Sequence, residues 1–325
     1  MKSARQKSIS LRKSRSFSKL KNESTRVSFD SPQSGSGSLE KSEGQPDSTP
    51  WTALPEHFHY EIQKKSCWGA PLRPSSFETC EQMHASVLDS IVEIHSHLQL
   101  KDHTLFLAAG LLDQYSKTQL LDYLEYQLFG LVALTIACKF EENASMTALL
   151  NQQVGRFGFS PPSLTSAEAA ILGASDFSLL CTSPPQLLCL LLSTRPMGKL
   201  SSSAVLYLLY LSLYDWRIQR FSVLTLLTAA LKVVARLLGE EDCLKLGVEL
   251  ETMGLKGSLG LGGGWGGEAS ESRMRGDNSV KTCECLLLQK VGGGTRRGCL
   301  AVRKKFTDAR FSNAAGVIQK ALKLV

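Results

Sequence analysis

Residues 124–140 read LEYQLFGLVALTIACKF, with one acid, Glu125, near the start and one base, Lys139, near the end. A helix of this sequence is apolar almost all round. It has no face to give to water and reads as the buried centre of a helical bundle. Its neighbours must then be amphipathic, and upstream they are. Met83, Val87, Ile91, Ile94 and Leu98 mark one helical stripe, and Leu105, Ala108, Leu111, Leu112 and Tyr115 mark a second.

Downstream, Thr165-Ser166-Ala167-Glu168 has the form of a capping box after Pro161-Pro162, which predicts a helix from Thr165 to about Asp176. Ser183-Pro184 predicts the cap and first position of a helix through Leu192, and further helices are expected near 201–214 and 219–238. No alternating β-branched runs bounded by hairpin turns occur, so the fold class reads as all-α. Residues 254–280, GLKGSLGLGGGWGGEASESRMRGDNSV, break the pattern and are expected to form a flexible insertion. Helical signals resume at CECLLLQK (283–290) and NAAGVIQKALKLV (313–325). The reading is of two helical bundles, 56–180 and 181–325, the second interrupted at about 254–281, behind a tail of residues 1–55.

The chain has 325 residues, 43% of them apolar and 21% charged, which disfavours collagen-like, wholly disordered and disulfide-scaffold classes. Its nine cysteines are thinly spread and no signal-peptide pattern opens the sequence, so reduced thiols in nucleus or cytoplasm are expected. The longest apolar runs are broken by Asp215, Lys232 and Arg236, so no membrane association is expected. The formal charge of +7 is unevenly placed: residues 1–26 hold nine Lys or Arg against one acid. The basicity therefore belongs to the tail, and the folded part is not expected to bind nucleic acid. The tail, rich in Ser, Lys and Arg, is expected to be disordered, and its LRKSRSFSKLK stretch has the composition of a nuclear-import signal or an anionic-surface contact. Ser31-Pro32 and Thr49-Pro50 are minimal sites for proline-directed phosphorylation.

Signals for chemistry are weak. Gly262, Gly264 and Gly267 fit G-x-G-x-x-G but lack the preceding strand and following helix that a dinucleotide site requires. His57-x-His59, His95-x-His97, Cys283-x-Cys285 and Cys299 do not assemble four ligands at zinc spacing. No Walker A sequence, nucleophile elbow or HExxH helix is present. The expectation is a non-enzyme with no cofactor, no metal and no small-molecule substrate.

The stretch MHASVLDSIVEIHSHLQLKDHTLFLAAGLLDQY (83–115), joined to QLFGLVALTIACKFEEN (127–143), resembles the cyclin box of A- and B-type cyclins. LSLYDWRIQRFSVLTLLTAAL (211–231) resembles the start of the second cyclin box, and VRKKFTDARFSNAAGV (302–317) its end. Details such as LLDQYS, IACKFEEN and PPQLLCLLL are similar to the divergent cyclin O and cyclin P group. The resemblance implies two cyclin-box bundles and a regulatory subunit that binds and activates a cyclin-dependent Ser/Thr protein kinase, in cell-cycle or related control. The alternative it leaves open is a cyclin-fold scaffold or transcription-associated adaptor that activates no kinase.

By the same resemblance Lys139 and Glu168 match the residues that hold the kinase's regulatory helix, and Ile136, Phe140, Phe177 and Leu179 match its apolar contacts. The family's substrate-docking patch maps to Met83, Ser86, Val87 and Ser90, with Glu93 and Gln127 nearby. Ser86 and Ser90 stand where the family has large apolar anchors, so the patch reads as eroded and weak in peptide docking. His84 replaces an Arg that pairs with an acid in the family, here Asp89.

Overall fold

The computed structural model describes residues 77–117, 121–259, 268–293 and 299–324. The tail 1–55 with Ser31 and Thr49, His57, His59 and the glycines 262, 264 and 267 lie outside the described residues. The described residues are helical and contain no strand, as the all-α reading expects. The helices are α1 (Phe77–Leu98), α2 (Asp102–Ser116), α3 (Tyr123–Glu141), α4 (Ala144–Gly155), α5 (Pro161–Ala174), α6 (Pro184–Thr194), α7 (Lys199–Ser212) and α8 (Trp216–Gln219). After them come α9 (Val223–Leu238), α10 (Glu241–Leu259), α11 (Glu268–Gly292), α12 (Leu300–Thr307) and α13 (Ala314–Leu322).

Helix α3 is the stretch 124–140, and it packs against α1, α2, α4 and α5. Its start is fixed by a capping box, in which Asp122 accepts from the Glu125 amide at 2.8 Å and Glu125 accepts from the Asp122 amide at 3.0 Å. Its middle, from Gly130 to Leu134, is buried throughout. Gly130 sits where α3 meets α1, and a β-carbon there would lie 2.5 Å from Val87 Cγ1 and 3.1 Å from Ile91 Cδ1. Both neighbours are buried β-branched side chains with little rotamer freedom, so the close approach of the two helices depends on that glycine.

A second apolar hub is α9, which packs against α6, α7, α10, α11 and α13. Ser222 caps its start by accepting from the Thr225 amide at 3.1 Å, and Gly239 closes it at φ 71°, a left-handed conformation natural to glycine.

Several boundaries differ from the sequence reading. The helix expected from Thr165 begins one turn earlier, capped by Ser160, with Pro161 and Pro162 as its first residues. Both prolines fit there because the first-turn amides have no helical partner to lose. Thr165 therefore lies inside the helix, donating to the Pro161 carbonyl at 3.2 Å, and Glu168 has no part in a cap. The stretch expected as an insertion is largely helical: α10 runs to Leu259 and α11 starts at Glu268. Residues 268–281 hold a single glycine, Gly276, among helix formers such as Glu268, Ala269, Glu271 and Arg273, whereas the dense glycines fall in 260–267, outside the described residues.

Among the described helices, α12 packs back on α1 and α7. Asp89 on α1 accepts from the Tyr214 hydroxyl at 2.8 Å and from the amides of Leu300 and Ala301 at 3.3 and 3.4 Å. Burial raises the Asp89 pKa, and these three donors counter the shift. Asp89 is thus not the partner of His84. That ring donates from Nε2 to the Leu213 carbonyl at 3.1 Å and meets the Tyr126 hydroxyl through Nδ1 at 2.7 Å, with Asp113 at 3.6 Å. A second tie joins α2, α7 and α12: Lys305 donates to the Tyr210 hydroxyl at 2.6 Å and to Asp102 at 3.2 Å, and Tyr210 donates to Asp102. Burial lowers the Lys305 pKa, and Asp102 opposes that shift.

Candidate functional site

The residues 139–143, Lys-Phe-Glu-Glu-Asn, each have a distinct task where α3 ends. Glu142 is almost buried and accepts from the Lys101 amide and the Thr104 hydroxyl, both at 2.7 Å. Lys101 has no capping oxygen of its own, so Glu142 caps α2 from another helix. Glu141 pairs with His103 at 3.0 Å, and the Asn143 side chain caps α4 through the Met146 amide at 2.9 Å. Sequence reading placed these residues in a motif without assigning them this work. The signal that was available is a carboxylate following a helix whose neighbour begins with an uncapped lysine.

With the end of α3 held in this way, Lys139 and Phe140 are left facing outward. Lys139 Nζ reaches across to α5 and donates to both carboxylate oxygens of Glu168, at 2.6 and 2.8 Å. The lysine also complements the negative end of α3. Its side chain is 46% exposed and that of Glu168 28%, so the pair is open to a partner. Phe140 is 46% exposed and Phe177, just past the end of α5, is 72% exposed.

Asp176 and Phe177 take φ values of 48° and 55°, two consecutive left-handed residues without a glycine, while the Phe177 amide donates to the Leu172 carbonyl at 2.9 Å to close α5. Residues in this region cost about 1–3 kcal/mol each and persist where the surrounding structure holds them. Beyond Phe177, Leu179 packs against the core while Leu180 is exposed. Ile136 is 3% exposed and lies in the core, one turn before Phe140 on α3, so it supports this face from behind and presents no surface of its own.

The positions of the docking patch are also divided. Val87 is buried against Gly130, Met83 and Gln127 are half-buried, and Glu93 is exposed. Ser86 meets the Tyr123 hydroxyl at 3.2 Å, and Ser90 donates to the Ser86 carbonyl at 3.2 Å. Tyr123, exposed at the start of α3, is a neighbour of this patch that sequence reading did not single out.

No group of three or more His, Cys, Asp or Glu side chains that could hold a metal occurs among the described residues. His95 is buried and donates to the Lys101 carbonyl at 2.9 Å, while Cys283 is buried and Cys285 exposed on the same helix. Burial pushes the Cys283 thiol up to about 12 and that of Cys299 up to about 11, values at which neither is a thiolate nucleophile or ready ligand near neutrality. No described helix is long and apolar enough to cross a membrane.

The described part is thus a helical bundle around a buried central helix, with a Lys–Glu bridge and exposed aromatics where that helix ends. Residues 60–180 match the family model of the cyclin N-terminal domain. It is 25% identical over 173 residues to Cyclin-B2-1 of Oryza sativa subsp. japonica, covering 53% of this chain and 41% of that protein. Over 85 residues it is 34% identical to Cyclin-B2-2 of Arabidopsis thaliana, covering 26% of this chain and 20% of the relative. It is also 30% identical over 109 residues to G2/mitotic-specific cyclin-B2 of Oryzias latipes, covering 32% and 27%. The chain thus spans less than half the length of these relatives.

Proposed function

We propose that this chain is the regulatory subunit of a cyclin-dependent Ser/Thr protein kinase, acting in cell-cycle or related control and contributing no catalytic group of its own. Its role would be to press the kinase's regulatory helix inward, so that the kinase's own Lys–Glu pair can organise ATP and its activation loop can open. The observation that carries this reading is the exposed bridge from Lys139 on α3 to Glu168 on α5, with exposed Phe140 next to Lys139 in sequence and exposed Phe177 just past the end of α5. A helix docked there would receive hydrogen bonds from the Lys139 ammonium at its carbonyls and give its amide hydrogens to Glu168, with Phe140, Phe177 and part of Leu179 supplying apolar contact. The nucleus and cytoplasm are the compartments in which such a subunit meets its kinase.

Co-purification against a panel of cyclin-dependent kinases, followed by a kinase assay, tests the reading. Lys139→Ala with Glu168→Ala should abolish capture and activation together, and unchanged capture refutes the interface.

The hydroxyls of Ser86 and Ser90, turned to local hydrogen bonds where apolar anchors would lie, favour a second reading as a scaffold or adaptor that activates no kinase. Stable partners recovered at native levels with no kinase among them would support it.

A further inference from the structure

Four Ser-Pro or Thr-Pro dipeptides occur in the chain, at residues 31, 49, 160 and 183, and the last two lie among the described residues. Ser160 and Ser183 are alike locally. Each precedes two prolines, each caps a helix, and each has the extended backbone that a following proline imposes, with φ and ψ of −72° and 146° at Ser160 and −91° and 152° at Ser183. They differ in access. Ser183 is 2% exposed and Pro184 and Pro185 are buried, whereas both hydroxyls donate locally at 3.1 Å, Ser183 to Gln186 and Ser160 to Ser163. Ser160 is exposed, and so are Arg156, Phe157 and Gly158 before it and Pro161 and Pro162 after it. Gly158 turns this connection at φ 78°, and nothing lies within 4 Å of where its side chain would begin.

We propose that Ser160 is a phosphorylation site for a proline-directed Ser/Thr kinase. Such an enzyme needs an accessible hydroxyl on extended backbone with proline next in sequence, and Ser160 meets all three conditions where Ser183 fails the first. The Ser160 hydroxyl oxygen attacks the γ-phosphorus of Mg-ATP held by the kinase. The new oxygen–phosphorus bond forms as the bond to the β,γ-bridging oxygen breaks, ADP leaves, and the hydroxyl proton passes to the kinase's catalytic carboxylate. The site does not depend on the helix end. Pro161 and Pro162 carry no amide hydrogen, and the Ser163 amide is already accepted by the Ser160 hydroxyl at 3.3 Å. The modification acts on surface charge instead. Residues 156–163 hold Arg156 and no acid, so adding a group of about −1.5 to −2 reverses the sign of the connection between α4 and α5. The inference is independent of the kinase-regulatory reading above.

The test uses the full chain, folded, with a purified proline-directed kinase and Mg-ATP, and mass spectrometry that localises phosphate within residues 157–195. At least tenfold more phosphate is expected on Ser160 than on Ser183. Pro161→Ala, which keeps the Ser160 hydroxyl and its cap, should remove the Ser160 signal as fully as Ser160→Ala does. Unmodified Ser160 alongside a fully phosphorylated control peptide, equal labelling of Ser183, or undiminished labelling of Pro161→Ala would each overturn the proposal.

Discussion

Lys139 and Glu168 stand on different helices, 29 positions apart in sequence, yet the lysine donates to both oxygens of the carboxylate at 2.6 and 2.8 Å. Because both side chains remain partly exposed, water screens the pair, and bridges of this kind contribute about 0–1 kcal/mol. Lys139→Ala and Glu168→Ala should therefore each unfold within about 1 kcal/mol of the parent in urea. A loss of several kcal/mol would mean that the pair is a structural element of the bundle.

Gly130 makes the opposite prediction. An added methyl group would meet Val87 Cγ1 at 2.5 Å, and overpacking of a filled core costs about 1–3 kcal/mol. Gly130→Ala should lower the urea midpoint accordingly, despite alanine's better helix propensity. An unchanged or raised midpoint would show that α1 and α3 separate freely.

Glu142 caps α2 from outside it, so its loss leaves the Lys101 amide and the buried Thr104 hydroxyl without their acceptor. Glu142→Ala is expected to cost about 1–3 kcal/mol in chemical denaturation. Glu142→Gln, which keeps an acceptor oxygen, should lose less than half of that. Equal losses would assign the effect to charge alone.

Much of this was legible in the sequence. The all-round apolarity of 124–140 located the hub helix, because no other role suits a helix without a polar face. The residue types at 139 and 168 singled out, through resemblance, two side chains that the structure joins in an ion pair. What escaped were features set by contact between distant elements. A capping-box pattern at Thr165 competed with the true cap at Ser160, and two prolines that look like a barrier served as the first turn. Ile136 and Phe140 are four positions apart on an apolar helix, and periodicity could not say that one faces the core and the other solvent. The Asp89 and Glu142 assignments depend on which helix end arrives beside them, which no local pattern records.

His95 gives a pH dependence. Burial lowers its pKa to about 4 from the ordinary 6.5, so the folded protein resists a proton that the unfolded chain accepts. The stability this neutral ring supplies is complete above about pH 6.5 and is lost as pH falls from there toward about 4, by an amount on the order of 3 kcal/mol at most. Asp89 and Asp113, whose pKa values burial raises, act in the opposite direction, because their protonation favours the folded state. The comparison of parent with His95→Gln isolates the histidine: urea unfolding from pH 7 to pH 4 should show the parent losing more stability than the variant. Parallel curves would place the ring in contact with solvent.

The most direct measurement of the docking assignment is the affinity of a purified cyclin-dependent kinase for the parent, Lys139→Glu, Glu168→Lys and the double exchange. The double exchange restores an ion pair between α3 and α5 but reverses which helix offers the donor. If the pair serves the partner, all three variants bind at least tenfold more weakly than the parent, a loss of about 1.4 kcal/mol, while the double exchange melts like the parent. Full recovery of binding in the double exchange, or undiminished binding in the single variants, would contradict the account.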